Sequence, residues 1–137
     1  MKHDDTTTRR EEIPTEVEAA ARLAVEAAFK VHRTLGPGLL EKVYEACFTH
    51  ECRSMGLEVA SQVEVPVKYG DVQINAGLRL DLLINGCLIV ELKAVEALLP
   101  FHQAQVLTYL RVTRHRLALL INFSAPLLKD GIKRIVL

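Results

Sequence analysis

Two periods of hydrophobic residues alternate along this chain, and each change of period marks a boundary between elements. From Thr15 onward, Val17, Ala20, Ala21, Ala24, Val25 and Ala28 recur at helical spacing. Thr15 and Glu18 fit the S/T-x-x-E capping box with Pro14 just ahead, and Gly36-Pro37-Gly38 stops the helix. A second helix is expected from about Leu39 to Met55 on a stripe of Leu40, Val43, Tyr44, Cys47 and Phe48, with Gly56 ending it. The pattern then shortens. Val63 to Tyr69 reads as a strand, with Pro66 pointing to an edge or irregular position. Gly70-Asp71 reads as a turn, and a strand resumes toward Asp81. After Lys93, Pro100 suits the first turn of a helix running to about Thr113. Leu117 to Phe123 is a further buried strand, and Ile132 to Leu137 another. Helices, three strands, a helix, a strand and a terminal strand make an α/β order. Residues 13 to 137 form one expected domain, and the charged, aperiodic residues 1 to 12 a flexible tail.

The stretch Arg79 to Glu96 carries the strongest chemical signal. Asn85-Gly86 lies between two apolar runs of strand length, a short-range hairpin signature, so the runs should pair antiparallel. A two-residue turn opposes Ile84 to Cys87, puts Asp81 and Glu91 on opposite faces, and leaves no clean apolar face. A three-residue loop, Ile84-Asn85-Gly86 with Gly86 left-handed, opposes Leu83 to Cys87 instead. Leu80, Leu82, Ile84, Leu88, Val90 and Leu92 then share one face. Arg79, Asp81, Leu83, Cys87, Ile89, Glu91 and Lys93 share the other. This second register is the expected one.

Like charges held about 4 to 6 Å apart strongly raise one of the two pKa values unless a proton or cation joins them. Asp81 and Glu91 therefore call for a divalent cation. Two carboxylates, a backbone carbonyl such as that of Leu92, and waters suit Mg²⁺ or Mn²⁺ rather than zinc. Lys93, two residues from Glu91 on the same face, could polarise an attacking water or offset charge developing on phosphate. The competing reading is an ordinary salt-bridged strand surface.

Composition narrows the setting. A chain of 137 residues, half of them hydrophobic, can build its own core. Cys47, Cys52 and Cys87 are odd in number, lack CxxC spacing and sit in apolar runs, which points to buried thiols in a reducing compartment. No signal peptide opens the chain and no apolar run reaches a membrane span, so a cytoplasmic, non-membrane protein is expected. Formal charge is zero, yet residues 101 to 137 carry Arg111, Arg114, Arg116, Lys129, Lys133 and Arg134 against Asp130 alone, a half that can face an anion.

Three further residues have two readings each. Glu41, near the start of the second helix, is either a glutamate favoured there by the helix dipole or a group brought to a ligand by the glycine break before it. Gln105 and Tyr109 lie one turn apart on the helix after Pro100, with His102 on a neighbouring position. Gln105 alone reads as a solvated residue, and Tyr109 as a core residue with a wet hydroxyl.

Taken together, an aspartate near a strand end followed by Glu91-Leu92-Lys93 resembles the active-site signature of the PD-(D/E)XK nuclease superfamily. Gly38-Leu39-Leu40-Glu41-Lys42-Val43-Tyr44 matches the GxxExxY pattern of the family of that name within it, and Gln105-Val106-Leu107-Thr108-Tyr109 resembles the QxxxY element of RecB-like members. Leu80 stands where many members have proline. The resemblance implies a restriction-endonuclease-like αβββαβ core with a mixed central sheet flanked by helices. It implies metal ligation by Asp81, Glu91 and the Leu92 carbonyl, assistance by Lys93, and support of a metal-bound water or second ion by Glu41. Gln105 and Tyr109 would orient Lys93 or the nucleic-acid backbone. The expected function is a Mg²⁺- or Mn²⁺-dependent nuclease acting on nucleic acid, DNA foremost. The alternative is a catalytically silent nucleic-acid- or protein-binding module, since fold alone does not carry activity. Whether a homodimer or a protein partner completes it stays open.

Overall fold

The computed structural model describes residues 12–137, so all of the expected N-terminal tail except Glu12 lies outside the described residues. Helix α1 spans Thr15–Leu35, α2 Glu41–Ser54 and α3 Pro100–Thr113. Strands β1 (Val59–Tyr69), β2 (Val72–Ile84), β3 (Leu88–Lys93), β4 (Leu117–Asn122) and β5 (Ile132–Val136) form one five-stranded sheet in sequence order. Only β3 and β4 pair in parallel, and α3 makes the crossover between them. The expected α/β order with a mixed sheet is what the chain adopts.

Two apolar layers hold the helices to the sheet. On one side the small face of α1, with Ala20, Ala21, Ala24, Ala27 and Ala28 all buried, lies close against α2 and against Leu82, Ile84, Leu88, Val90 and Leu92. On the other side Val106 and Leu110 of α3 pack on Leu80, Ile89, Ala118 and Leu120. Strand β4 is buried along its whole length between these layers, which explains its apolar run from Leu117 to Ile121.

Several expectations need correction. The capping box does not form, because Pro14 takes the N-cap position and its carbonyl accepts from the N–H groups of Val17 and Glu18. Thr15 is thereby one residue too late to cap. Glu18 turns instead to Arg134 on β5, whose Nη1 donates to Oε1 at 2.8 Å, so one cation of the basic C-terminal part is already paired.

The β2–β3 register differs by two residues from the expected one. The pairs are Ile84↔Leu88, Leu83↔Ile89 and Leu82↔Val90, leaving Asn85-Gly86-Cys87 as the loop. Asn85 and Gly86 both have positive φ, 52° and 65°, and the Cys87 N–H closes the turn on the Ile84 carbonyl. Asn85 is held there by Glu58, exchanging a backbone N–H···O bond of 2.9 Å and receiving the Glu58 N–H on Oδ1 at 2.8 Å. A slip of two preserves the parity of the pairing and makes Asp81 and Glu91 the next pair in the register.

The face assignment fails at two positions. Leu80 packs with the α3 layer, not with Leu82 and Ile84, and Cys87, being part of the loop, packs toward α1 and α2. Alternation in β2 breaks at Asp81, and the facing residue of β1, Gln62, is left-handed at φ 53° between the pairs Ser61↔Leu82 and Val63↔Leu80. Pro66 marks a second irregularity, a register shift between Val65 and Val67 on this edge strand. All three cysteines are free; Cys52 is buried and Cys47 and Cys87 are half-buried.

Candidate functional site

The hairpin pairing stops where the acidic residues begin. Beyond Leu82↔Val90 the ladder between β2 and β3 ends, and side chains take over its hydrogen bonds. The Asp81 N–H donates to Glu91 Oε2 at 2.9 Å, and the Leu92 N–H donates to Asp81 Oδ2 at 2.9 Å. Each carboxylate thus bridges to the opposite strand. A strand residue directs its N–H and C=O to the same neighbour, so the Leu92 carbonyl also lies on the Asp81 side of β3.

This pair is electrostatically uncomfortable. Glu91 is only 4% exposed, and its carboxyl is pushed up to about 8, first by burial and then by the charge of Asp81. Burial also raises Asp81, against the opposing pull of the Leu92 N–H and of Lys93. The pair therefore holds a proton well above the usual carboxylate range or accepts another cation in its place.

Two elements approach from opposite sides of the sheet. Glu41 is the first residue of α2, exposed at its tip, and its carboxyl is raised by lost hydration, then by Asp81, with Lys93 acting in the opposite sense. Tyr109 on α3 packs in the layer formed by Leu80 and Ile89; burial raises its hydroxyl, and the charges of Glu91 and Asp81 raise it further. Glu41 and Tyr109 thus each come within electrostatic reach of Asp81, Glu41 also of Lys93 and Tyr109 also of Glu91. Gln105, half-buried one turn before Tyr109, makes no hydrogen bond to either carboxylate. His102 is used elsewhere, its Nδ1 accepting the Leu99 N–H at the start of α3.

Three residues that the sequence reading passed over contribute. Glu45, one turn after Glu41, accepts from Ser61 and Gln62 and adds its charge to the field at Asp81 and Glu41. Its i, i+4 relation to Glu41 was the available signal. Asn122, 3% exposed, receives the Val95 N–H on Oδ1 and donates Nδ2–H to the Val95 carbonyl, fixing the chain two residues after Lys93. Phe123 donates its N–H to the Lys93 carbonyl at 2.9 Å. A lone polar residue ending the apolar run of β4 was the hint for Asn122.

The donor set is oxygen-only, acidic and carries raised pKa values, a chemistry that fits a hard divalent cation. Asp81 and Glu91 each use one oxygen on a backbone N–H, and the two carboxyls also hydrogen-bond to each other, a contact that a bound cation would replace. Among the described residues, no three His, Cys, Asp or Glu side chains form a ready-made metal cluster. A cavity of about 940 Å³ between α1 and β4–β5 is lined by Val25, Phe29, Leu119 and Ile132 and touches neither strand carboxylate. No described helix is long and apolar enough to cross a membrane.

No curated protein and no solved structure gives a significant match to this chain. The family model of the PD-(D/E)XK nuclease superfamily matches residues 18–135, a span that contains β1 to β4, all of β5 but its last residue, and all of the residues gathered around the opened hairpin. The chain belongs to the PD-(D/E)XK nuclease superfamily.

Proposed function

We propose that the protein is a metal-dependent nuclease that hydrolyses phosphodiester bonds of nucleic acid, with DNA as the foremost substrate, and that it falls in the GxxExxY group of its superfamily. The observation that carries this reading is the crossed pair Asp81 and Glu91 at the point where β2 and β3 part, with Lys93 and Glu41 in its field. Asp81, Glu91 and the Leu92 carbonyl would hold Mg²⁺ or Mn²⁺. When bound, such an ion supplies Lewis-acid polarisation of a phosphoryl oxygen and lowers the pKa of water.

The side chains do the rest. Glu41, its carboxyl raised by lost hydration and by Asp81, accepts a proton from the attacking water. The water oxygen forms the new bond to phosphorus as the opposite ester bond breaks, and the departing alkoxide takes a proton from solvent. The Lys93 ammonium offsets the charge that builds on the phosphoryl oxygens. Tyr109, and Gln105 one turn from it, orient Lys93 or the nucleic-acid backbone from the α3 side.

The silent-module reading stands beside it because fold alone does not carry activity. A cleavage assay decides between them: single- and double-stranded DNA and RNA with Mg²⁺ or Mn²⁺, beside Asp81→Asn and Lys93→Ala. Cleavage by the wild type that both substitutions abolish is the expected result. Activity that survives both belongs to a contaminant, and its absence from every substrate supports the module.

A further inference from the structure

Tyr44 is fully buried, yet its hydroxyl serves none of the core. It donates to the Gly36 carbonyl at 2.5 Å and receives the Leu39 N–H at 3.1 Å. Both partners belong to the Gly36-Pro37-Gly38 loop and the residue after it, where Gly36 and Gly38 adopt positive φ of 73° and 105°. That loop delivers the chain to Glu41. Helix α2 starts on the Leu40 carbonyl, which accepts from the Val43 and Tyr44 N–H groups, and it has no side-chain cap there. The ring of Tyr44 stacks on Phe123 with centroids 4.8 Å apart and planes 4° from parallel. Phe123 in turn donates its N–H to the Lys93 carbonyl. One side chain therefore joins the loop before Glu41 to the residue that holds the end of β3.

We propose that Tyr44 is a positioning residue that sets Glu41 against the strand groups through the hydroxyl latch on the Gly36–Leu39 loop and the stack on Phe123. The proposal rests on the nuclease reading above, because it is through Glu41 that Tyr44 acts. A core tyrosine with a satisfied hydroxyl would look similar in a static structure, but it would affect stability alone.

Tyr44→Phe removes the latch and keeps the ring. In the metal-free protein, amide exchange at Leu39 should accelerate, while the Leu92 amide, held by Asp81, keeps its rate. With Mn²⁺ and DNA, kcat should fall about tenfold or more with KM little changed, whereas the same substitution made in Glu41→Gln should cost nothing further. Additive losses, or an unchanged kcat in Tyr44→Phe, overturn the proposal and leave the nuclease reading intact. A wild type that neither binds Mn²⁺ nor cleaves overturns both. If Tyr44→Phe does not fold, Phe123→Leu decides by the same cycle: it removes the stack and retains the backbone N–H to Lys93, and its loss of kcat must also vanish in Glu41→Gln.

Discussion

The two ends of the β2–β3 hairpin are built on opposite principles. Near the turn, Ile84↔Leu88, Leu83↔Ile89 and Leu82↔Val90 pair through the backbone, and five of those six side chains are buried. One step further the strands part, and Asp81 and Glu91 substitute carboxylate oxygens for main-chain partners. The closed end stabilises the fold. The open end satisfies the Asp81 and Leu92 N–H groups while placing two acids in a poorly hydrated gap, an arrangement that burial makes costly and a cation relieves. The contrast teaches that the candidate site is a defect in the sheet whose rigidity is borrowed from the ladder beside it.

The sharpest separation comes from substitutions at either end. Asp81→Asn should leave the hairpin folded and reduce metal-dependent cleavage by about 10²- to 10³-fold, on the scale of losing one group that stabilises transition-state charge. Leu88→Ala at the closed end should do the reverse, lowering unfolding free energy by about 2 to 5 kcal/mol in denaturant titrations while the folded fraction still binds Mn²⁺.

A pH effect follows from the raised acid. Unfolded, Glu91 releases its proton near its ordinary value of 4.5; folded, it holds the proton until about 8. Between those limits the native state binds more protons than the unfolded state, so metal-free stability falls as pH rises, by up to about 1.4 kcal/mol per pH unit. Thermal melts from pH 5 to pH 9 should show the decline, and Glu91→Gln should flatten it. A melting temperature that rises over this range would contradict the assignment. Smallest is the expected effect of Gly86→Ala. No atom lies within 4 Å of the added Cβ, so the cost is that of φ 65° alone, about 1 to 2 kcal/mol, without loss of cleavage per folded molecule.

How much of this was legible in sequence follows from the range of the interactions involved. Strand identity, the crossover helix and the parity of the β2–β3 pairing depend on local periodicity and on Asn85-Gly86, so these could be read directly. The exact partners could not. They depend on Asn85 binding Glu58, 27 residues away, which settles the loop one residue further along the chain than expected. Leu80 changed faces because of Gln62 on the neighbouring strand, again a non-local cause. Thr15 was misread for a local reason: Pro14 supplies the first helical carbonyl itself. The Tyr44 latch was hidden because apolar periodicity accounts for the ring and says nothing about the hydroxyl.

The claim that Asp81 and Glu91 form a cation site is tested most directly by titrating Mn²⁺ into the protein at pH 7 in buffers of different ionisation enthalpy. If Glu91 holds a proton there, binding must expel it, and the apparent enthalpy should vary with the buffer in proportion to the protons released. Binding with release of a substantial fraction of a proton, lost in both Glu91→Gln and Asp81→Asn, is the predicted result. No binding by the wild type, or binding that survives both substitutions, would contradict it.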